Sequence, residues 1–492
     1  MQEVWVWVCV LAVFLGTAPQ LAAFVQFLLV GVHGVRNHYA RCAPVTRRIA
    51  VLIPAWNEGL VIANTIEHMM SLDYPRDALR VYVIDDASTD QTPQLARDAA
   101  LRYPGSVFHL RREKGGQGKA HTLNFGLAHV LDSDWMEAVL ITDADVVFSR
   151  DALNRMVRHL ADPKVGAVTA YIKEGSDPGG FVSRSIAFEY ITAQAASRRA
   201  QNVMGVMACV AGGAQLHSRE NLVAIGGAID TSTLAEDTYT TFLTELRGRR
   251  ALFDGNAIVW AEEPDALVSL WKQRLRWARG NLQLTWAFRH AWFRPFSHRG
   301  IGGWMFGLIW FSTLLTPILM LAAMTACLAL LLLHHGWAWR AFHVLWLINA
   351  FVYLFVLLFS CLIDAATAKR AWLEGILFPG LMSLGLMALS LFPDRAYHLV
   401  QSFPTLHEAW DWRVLVIVFM YAWVGGCMAA GWGLYRLERA GAPAWLVRPL
   451  LAVVGYGPVL CAVSFAAYVA EWRGAERSWD KTVKIGKVRQ LE

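Results

Sequence analysis

Hydrophobic and polar positions divide the chain into three regimes. Residues 1–33 are almost continuously apolar. Residues 34–300 carry most of the charge. Five apolar stretches then follow near 302–333, 341–363, 373–392, 413–435 and 447–470. Each is long enough as a helix to span about 30 Å of hydrocarbon. The N-terminal run lacks a basic segment in front of it and is too long for a signal-peptide core, so it reads as one retained transmembrane helix. Five crossings after the middle region would leave the tail SWDKTVKIGKVRQLE on the far side of the bilayer, although its basic character favours the same side as the middle.

Within the middle region the pattern changes to short apolar runs separated by amphipathic ones. RIAVLIPA (48–55), LRVYVIDD (79–86) and EAVLITDAD (137–145) read as strands buried on both faces, the last two closing on carboxylates. NEGLVIANTIEHMMSL and TPQLARDAALRY between them read as helices. Doubly buried strands alternating with helices predict a mostly parallel α/β sheet. Ligands of such sheets bind beyond the carboxyl ends of the strands, where these acids fall.

Composition agrees. Apolar residues make up 55% and charged residues 17%, with a mean hydropathy of +0.35. A soluble domain is nearer 45–50% apolar and about 25% charged. The net charge of +6 fits positive-inside flanks: Arg36, Arg41, Arg47 and Arg48 follow the first apolar run and put the middle region in the cytoplasm. Nucleic acid is not expected as a partner. Seven cysteines form no CxxC pair, which argues against a zinc site or disulfide framework. His217, His290 and His298 read as polar contacts, and Trp304, Trp310, Trp337 and Trp339 as interfacial anchors. Trp410 and Trp412 read as anchors or as the lining of a sugar path.

Four short stretches carry candidate chemistry. In TDADVV, Asp143 and Asp145 are two apart, which on an extended chain points both to one side. Paired anions are tolerable around a hard divalent cation that also holds phosphates; a solvated acidic turn would look the same. VIDDASTD places Asp85 and Asp86 at a strand end, where a carboxylate can accept from a nucleobase or ribose, while Thr89 or Asp90 reads as a helix cap. In LAEDTYTT, Glu236 and Asp237 open a helix, and Asp237 is a candidate base for a sugar hydroxyl. KGGQGKAHTLN sets Lys119 after a glycine-rich turn that suits phosphate, but its spacing is not that of a P-loop, which excludes that ATPase type.

The order of these stretches is more specific than any one of them: PAWNE, VIDDASTD, GGQGKAHTLN, TDAD, AGGAQLHSRENL, AEDT and QRLRW, then apolar spans. In this order the sequence resembles the processive family-2 membrane glycosyltransferases, the synthases of cellulose, chitin, hyaluronan and poly-N-acetylglucosamine. The motifs cover residues 48–285, and LVSLWKQRLRWARGN looks most similar to bacterial poly-β-1,6-N-acetylglucosamine synthases. The resemblance implies a GT-A (Rossmann-like) α/β domain inserted between transmembrane helices of a polytopic protein of the bacterial inner membrane. The expected segments are a transmembrane helix (1–33), the cytoplasmic transferase domain (34–264), interfacial helices (265–300), transmembrane helices (301–470) and a tail (471–492).

It also implies roles. Pro54, Asn57, Glu58, Asp86, Lys119 and Asp143 would bind the nucleotide, and Asp143 and Asp145 would hold Mg²⁺ or Mn²⁺ on the diphosphate. Glu236 and Asp237 match the acidic pair containing the general base, although Ala235 replaces the family's threonine. Gly212 and Gly213 match the acceptor turn. Gln273, Arg276 and Trp277 match the QxxRW signature of processive members, with Arg276 on the diphosphate and Trp277 against the acceptor sugar. Lys272 and Arg279, on the same helix, read as contacts to lipid phosphates. The implied reaction is inverting transfer from a UDP-sugar, UDP-GlcNAc or UDP-glucose, to a growing β-linked polysaccharide that is exported through the bilayer. Any cyclic-di-GMP control would need a regulatory subunit. Two other readings stay open: a non-processive enzyme making a glycolipid or polyprenyl-phosphate sugar, and, more remotely, a transporter with a regulatory cytoplasmic domain.

Overall fold

The three apolar runs of the middle region form the centre of an eight-stranded sheet in a computed structural model that describes residues 2–176, 179–298, 300–402, 411–476, 486 and 488. The strands are β1 (Ile49–Ala55), β2 (Leu79–Asp85), β3 (Val107–Arg111), β4 (Ala138–Ile141), β5 (Val146–Phe148), β6 (Val165–Glu174), β7 (Gln215–Ser218) and β8 (Arg250–Ala261), in the order β3-β2-β1-β4-β7-β6-β8-β5. β3, β2, β1 and β4 run parallel, with Val51 opposite both Val81 and Leu140. β7 is antiparallel to β4 and β6, and β8 is parallel to β6. The polarity decides what meets at one edge. β1, β2 and β4 end there. β7 begins there, with Gln215 opposite Ile141, and β6 and β8 end there with Glu174 opposite Ala261.

The strands are apolar on both faces because helices cover the sheet. The helices of this unit include α3 (Ile62–Met70), α4 (Thr92–Arg102), α5 (Lys119–Leu131), α6 (Ala152–Val157), α7 (Phe181–Tyr190), α8 (Ser197–Met204), α9 (Arg219–Ala224) and α10 (Glu236–Leu246). Leu123 and Leu127 of α5 pack with Leu52, Ile84, Val139 and Ile141, all buried. Each such side chain contributes about 1.5–3 kcal/mol by leaving water. Close approach of α5 to β2 needs Gly126, where a Cβ would come within 2.2 Å of Ile84 Cδ1.

The chain forms two units, residues 29–265, 280–307 and 476–492 in one, and residues 1–28, 266–279 and 308–475 in the other. The second is helical. Its N-terminal apolar run is not one helix: α1 (Gln2–Leu15) ends at Gly16 and Thr17, and a new helix runs Ala18–Val35. Thr17 Oγ1 donates to the Phe14 carbonyl at 2.6 Å, closing the end of α1. Val6, Val10 and Val13 of α1 share a buried core with Cys327, Leu330, Phe342, Ile417 and Tyr421. The 302–333 stretch is likewise two helices, Trp304–Leu314 and Thr316–Leu333, with Pro317 in the first turn of the second, the position where its missing N–H costs least. The 447–470 stretch is also broken, into Ala444–Val454 and Tyr456–Trp472, bent by 90°. Among the described residues four helices are able by length and composition to cross a bilayer, at 18–35, 316–333, 336–363 and 412–439, or five if the bent pair is one span. The chain is a membrane protein with several apolar helices beside its α/β unit.

Trp410 and most of the tail lie outside the described residues. Two tail residues within them belong to the α/β unit: Gly486 N donates to Glu262 Oε2 at 3.0 Å, and Val488 forms an antiparallel bridge to Ser176. Within the helical unit Gly455 (φ +97°) packs against Gly380 (φ +85°), where a Cβ on Gly455 would lie 2.4 Å from Gly380 N. A Gly455→Ala variant should therefore destabilise the detergent-solubilised protein by about 1–3 kcal/mol and lower its unfolding temperature; an unchanged melting temperature would show that the bend tolerates a side chain.

Candidate active site

The carboxyl edge of the sheet collects most of the residues that the motifs single out. After β1, Asn57 adopts a left-handed conformation (φ 54°) and turns the chain back towards the loop after β2. Hydrogen bonds join the two loops: Asn57 N donates to Ser88 Oγ at 2.9 Å, Glu58 N to Thr92 Oγ1 at 2.7 Å, Gly59 N to Asp90 Oδ2 at 2.9 Å, and Thr89 N to Asn57 Oδ1 at 2.8 Å. Asp90 Oδ1 also accepts from Thr92 N at 2.9 Å, so its part at the start of α4 is structural. Pro54 lies within β1, in register with Ile84.

Asp85 and Asp86, adjacent in sequence, have separate partners. Asp85 is fully buried and accepts from Ser88 N at 2.8 Å, with Arg111 Nη1 at 3.1 Å and His109 Nε2 at 3.5 Å from its other oxygen. Burial alone would push its carboxyl up; the His109 and Ser88 hydrogen bonds and the Arg111 charge outweigh this and hold it below the usual range. Asp86 accepts from Gly116 N at 2.9 Å and is ion-paired with Arg112. Between them and the next loop, Ala87 is held at φ 56°, a conformation that costs a non-glycine residue roughly 1–2 kcal/mol. The sequence reading missed Arg111 and Arg112, whose signal was their position at the end of β3, a strand it did not assign.

The glycine-rich turn brings Lys119 to the same edge. Its Nζ, with the side chain 9% exposed, is ion-paired with Asp143 and lies 3.3 Å from the Gly212 carbonyl. Desolvation would lower the lysine's pKa, but Asp143, Glu236 and Asp237 raise it above its ordinary value, so the ammonium is held charged. Asp143 does not extend a strand as the alternation argument assumed. β4 stops at Ile141, and residues 142–145 form a turn, fixed where Thr142 Oγ1 donates to the Gly213 carbonyl at 2.9 Å and Thr65 Oγ1 to the Ala144 carbonyl at 2.5 Å. Asp143 is partly exposed there and Asp145 is buried.

Glu236 and Asp237 occupy the first turn of α10, where the helix dipole favours anions. Asp237 Oδ2 accepts from Gly212 N at 3.1 Å, and Oδ1 accepts from Thr238 N at 2.7 Å. Gly212 leaves little room for a side chain: a Cβ would sit 3.0 Å from Lys119 Nζ and 3.4 Å from Asp237 Oδ2. Gly213 packs beside Val146 and Asp143. Arg198, buried on α8, also feels the Asp237 charge. His217 is fully buried in β7 between Gln215 Oε1 (3.1 Å) and Asn221 Nδ2 (3.3 Å), and burial lowers its pKa to about 4, so it is a neutral polar contact.

The alanine before Glu236 has a packing reason. α11 (Leu267–Ala287) reaches the AED loop with its later turns: a Cβ on Gly280 would lie 2.7 Å from Ala235 Cβ, and Gln283 Oε1 accepts from Leu234 N at 3.0 Å. Gln273 and Arg276 share the helix face of Gly280 and Gln283, at spacings of three and four. The earlier turns of α11 belong to the helical unit. There Trp271 stacks on Tyr435 at 4.4 Å, Val268 N donates to Glu438 Oε2, and the Arg274 guanidinium lies 4.1 Å over the Trp277 ring. Arg279 is not a lipid contact. It is buried, paired with Glu471 at 2.5 Å and donating to the Ala475 carbonyl at 2.6 Å. Lys272 is exposed.

Residues 46–280 match the model of the family described as glycosyltransferase like family 2. The chain is 30% identical over 249 residues to the probable glycosyltransferase YdaM of Bacillus subtilis, covering 50% of this chain and 58% of that protein. It is 28% identical over 233 residues to the poly-beta-1,6-N-acetyl-D-glucosamine synthase of Staphylococcus aureus, covering 47% and 54%. It is 29% identical over 236 residues to the beta-monoglucosyldiacylglycerol synthase of Synechocystis, covering 48% of each. The chain thus spans about half the length of the curated relatives it matches. A solved mannosyltransferase from Pyrobaculum calidifontis, in complex with GDP-Man and Mn²⁺, superposes with a TM-score of 0.53 at 25% identity, over 67% of this chain and 87% of that one. The α/β unit has the GT-A fold of a glycosyltransferase.

The α/β unit also fits a divalent ion in a limited way. Among the described residues no group of three or more His, Cys, Asp or Glu side chains is gathered for a metal. Asp143 and Asp145 supply carboxylates within one turn. A hard cation such as Mg²⁺ is held by one or two carboxylates plus substrate phosphates and water, so the pair suits an ion that arrives with a diphosphate. In the loop beside it, a Cβ on Gly115 would lie 2.0 Å from the Asp86 carbonyl oxygen. Gly115→Ala should displace the loop that presents Gly116 N to Asp86, weakening UDP binding at least about tenfold by calorimetry while the far-ultraviolet dichroism stays unchanged; retained affinity would detach this loop from nucleotide recognition.

Proposed function

We propose that the protein is a processive, inverting glycosyltransferase that polymerises a β-linked polysaccharide from a UDP-sugar, UDP-GlcNAc or UDP-glucose, and passes it across the bacterial inner membrane. The observation that carries the reading is the Lys119 cluster: one buried ammonium touching Asp143 and the Gly212 carbonyl, with Glu236 and Asp237 close enough to raise its pKa. Donor, acceptor and base groups of a transfer reaction thereby share one edge of the sheet.

In this reading the nucleotide lies across the loops after β1 and β2, with Pro54, Asn57, Glu58 and Asp86 shaping its pocket. Bound by Asp143 and Asp145, Mg²⁺ or Mn²⁺ would neutralise charge that grows on the departing diphosphate. Lys119 exchanges Asp143 for that diphosphate as a point charge; by resemblance to QxxRW members, Arg276 is the arginine expected to grip it with two parallel donors. Asp237 removes the proton of the acceptor hydroxyl, which attacks the anomeric carbon in line and inverts it. Gly212 N, now on Asp237, fixes the orientation of the base, and the Gly212–Gly213 turn leaves space for the acceptor. Trp277 offers the acceptor sugar a flat apolar face, and Gln273 a polar contact beside it.

The relative from Staphylococcus supports a polysaccharide product. The relative from Synechocystis, at almost the same identity, favours a second reading, in which the acceptor is a lipid and transfer stops after one sugar.

Purified full-length protein in lipid nanodiscs, given UDP-GlcNAc or UDP-glucose with Mg²⁺ or Mn²⁺, should yield a polymer that a matching glycosidase digests; a single-sugar lipid product would establish the second reading, and full activity in excess EDTA would defeat the metal assignment. Asp237→Asn should cut kcat about 10²–10⁴-fold with little change in UDP affinity. Lys119→Met should reduce kcat/KM about 10²-fold or more. Full turnover by either variant would remove that residue from the mechanism.

A further inference from the structure

The linker between the helix Ala18–Val35 and β1 carries Cys42 onto the α/β unit, away from the carboxyl edge of the sheet. There the Cys42 Sγ lies 3.3 Å from Nδ1 of His159, in the single-turn helix after α6. The opposite ring nitrogen, Nε2, lies 2.9 Å from Asp254 Oδ2 on β8. His159 and Asp254 are both buried, and Cys42 is partly exposed. Asp254 is held in place by its own donors: Asn256 N reaches Oδ1 at 2.9 Å, and the Tyr39 hydroxyl lies 3.3 Å from the same oxygen. The irregular register of β8 between residues 254 and 258 makes room for this carboxylate. A thiol, an imidazole and a buried carboxylate in line form the arrangement that activates a nucleophile: the base faces the sulfur and the acid orients the base. The mechanism above uses none of the three.

We infer that Cys42, His159 and Asp254 form a modification site, in which Cys42 is an activated thiol that exchanges with low-molecular-weight disulfides. His159 takes the Cys42 proton. The thiolate attacks one sulfur of the disulfide, whose S–S bond breaks as the new S–S bond to Cys42 forms. The departing thiolate takes the proton back from His159. Cys42 is oxidised, the small disulfide is reduced to one free thiol and one bound half, and no other reactant is needed. Asp254 is the positioning residue, keeping the imidazole turned towards sulfur.

The charge around the site supports this. Although burial would lower it, the bonds to Asp254 and Cys42 raise the His159 pKa to about 9. With its pKa so raised, the imidazole retains the proton it takes from Cys42, and the resulting imidazolium faces the sulfur. The groups around this triad are His38 and Tyr39 on the linker, Arg155 on α6, Asp162 after the single-turn helix, Arg199 on α8 and Arg250 on β8. Cations outnumber anions among them, and Arg41, next to Cys42, pairs with Asp162 at 3.1 Å.

The test is alkylation of the full-length protein with iodoacetamide between pH 6 and 9, followed by mass mapping of the Cys42 peptide, with a parallel incubation in glutathione disulfide. The expected Cys42 rate varies less than about threefold from pH 6 to pH 8, whereas an ordinary thiol, with a pKa near 8.5, gains about tenfold per unit. Glutathione disulfide should add one glutathionyl mass at Cys42, removed by dithiothreitol. His159→Gln should slow both reactions at least about tenfold at pH 7 and restore the ordinary pH slope, and Asp254→Asn should do so in part. If the variants fail to fold, the pH profile of the unaltered protein decides. A Cys42 rate that climbs like an ordinary thiol, no adduct at Cys42, or an unchanged rate in folded His159→Gln would each overturn the assignment.

Discussion

A lysine held charged among three carboxylates organises the transferase site. Lys119 is almost wholly removed from water, and desolvation alone would favour its neutral form. Asp143, Glu236 and Asp237 reverse that preference. The reciprocal holds for the acids: clustered carboxylates repel one another, and this ammonium stands among them. Loops from after β4, before β7 and at the start of α10 converge on one nitrogen, together with the glycine-rich turn that carries it.

Backbone polarity explains why those loops meet. Four parallel strands would deliver only the segments after β1, β2, β3 and β4. Reversing β7 brings the start of a strand to the same edge, and with it the Gly212–Gly213 turn that hydrogen-bonds Asp237. The parallel half thereby supplies Asp85, Asp86 and Asp143, and the mixed half the Gly212–Gly213 turn. The missing side chain at Gly212, where any Cβ would crowd Lys119 and Asp237, lets the two halves close on each other.

The motifs were legible because each pairs a chemical residue type with a backbone requirement. PAWNE, VIDDASTD, TDAD and AED fall at strand ends or a helix start, and the apolar periodicity locates those. The partners that set their charge state were harder to see. Arg111 on Asp85 closes β3 and Arg112 on Asp86 follows it; the VFHLR of β3 lacks the continuous apolar character of β1, and its side chains are largely half-buried. The turn at 142–145 was also hidden, since an apolar run ending in acids gives no signal for where the strand stops. In the helical unit hydropathy located the apolar stretches and missed their breaks at Gly16, Leu315 and Gly455, because a break changes backbone angles without lowering hydrophobicity.

WKQRLRWARG shows the division most plainly. The sequence by itself determined a helix rich in cations and tryptophan, and the spacing that puts Gln273 and Arg276 on one face with Gly280 and Gln283. Local periodicity is enough for that. Tertiary structure alone decided that Arg279 is buried against Glu471, that Gly280 packs on Ala235, and that Asp143 meets Lys119. Those pairings join residues from 24 to 192 positions apart, and only the folded topology brings such distant groups within a few ångströms.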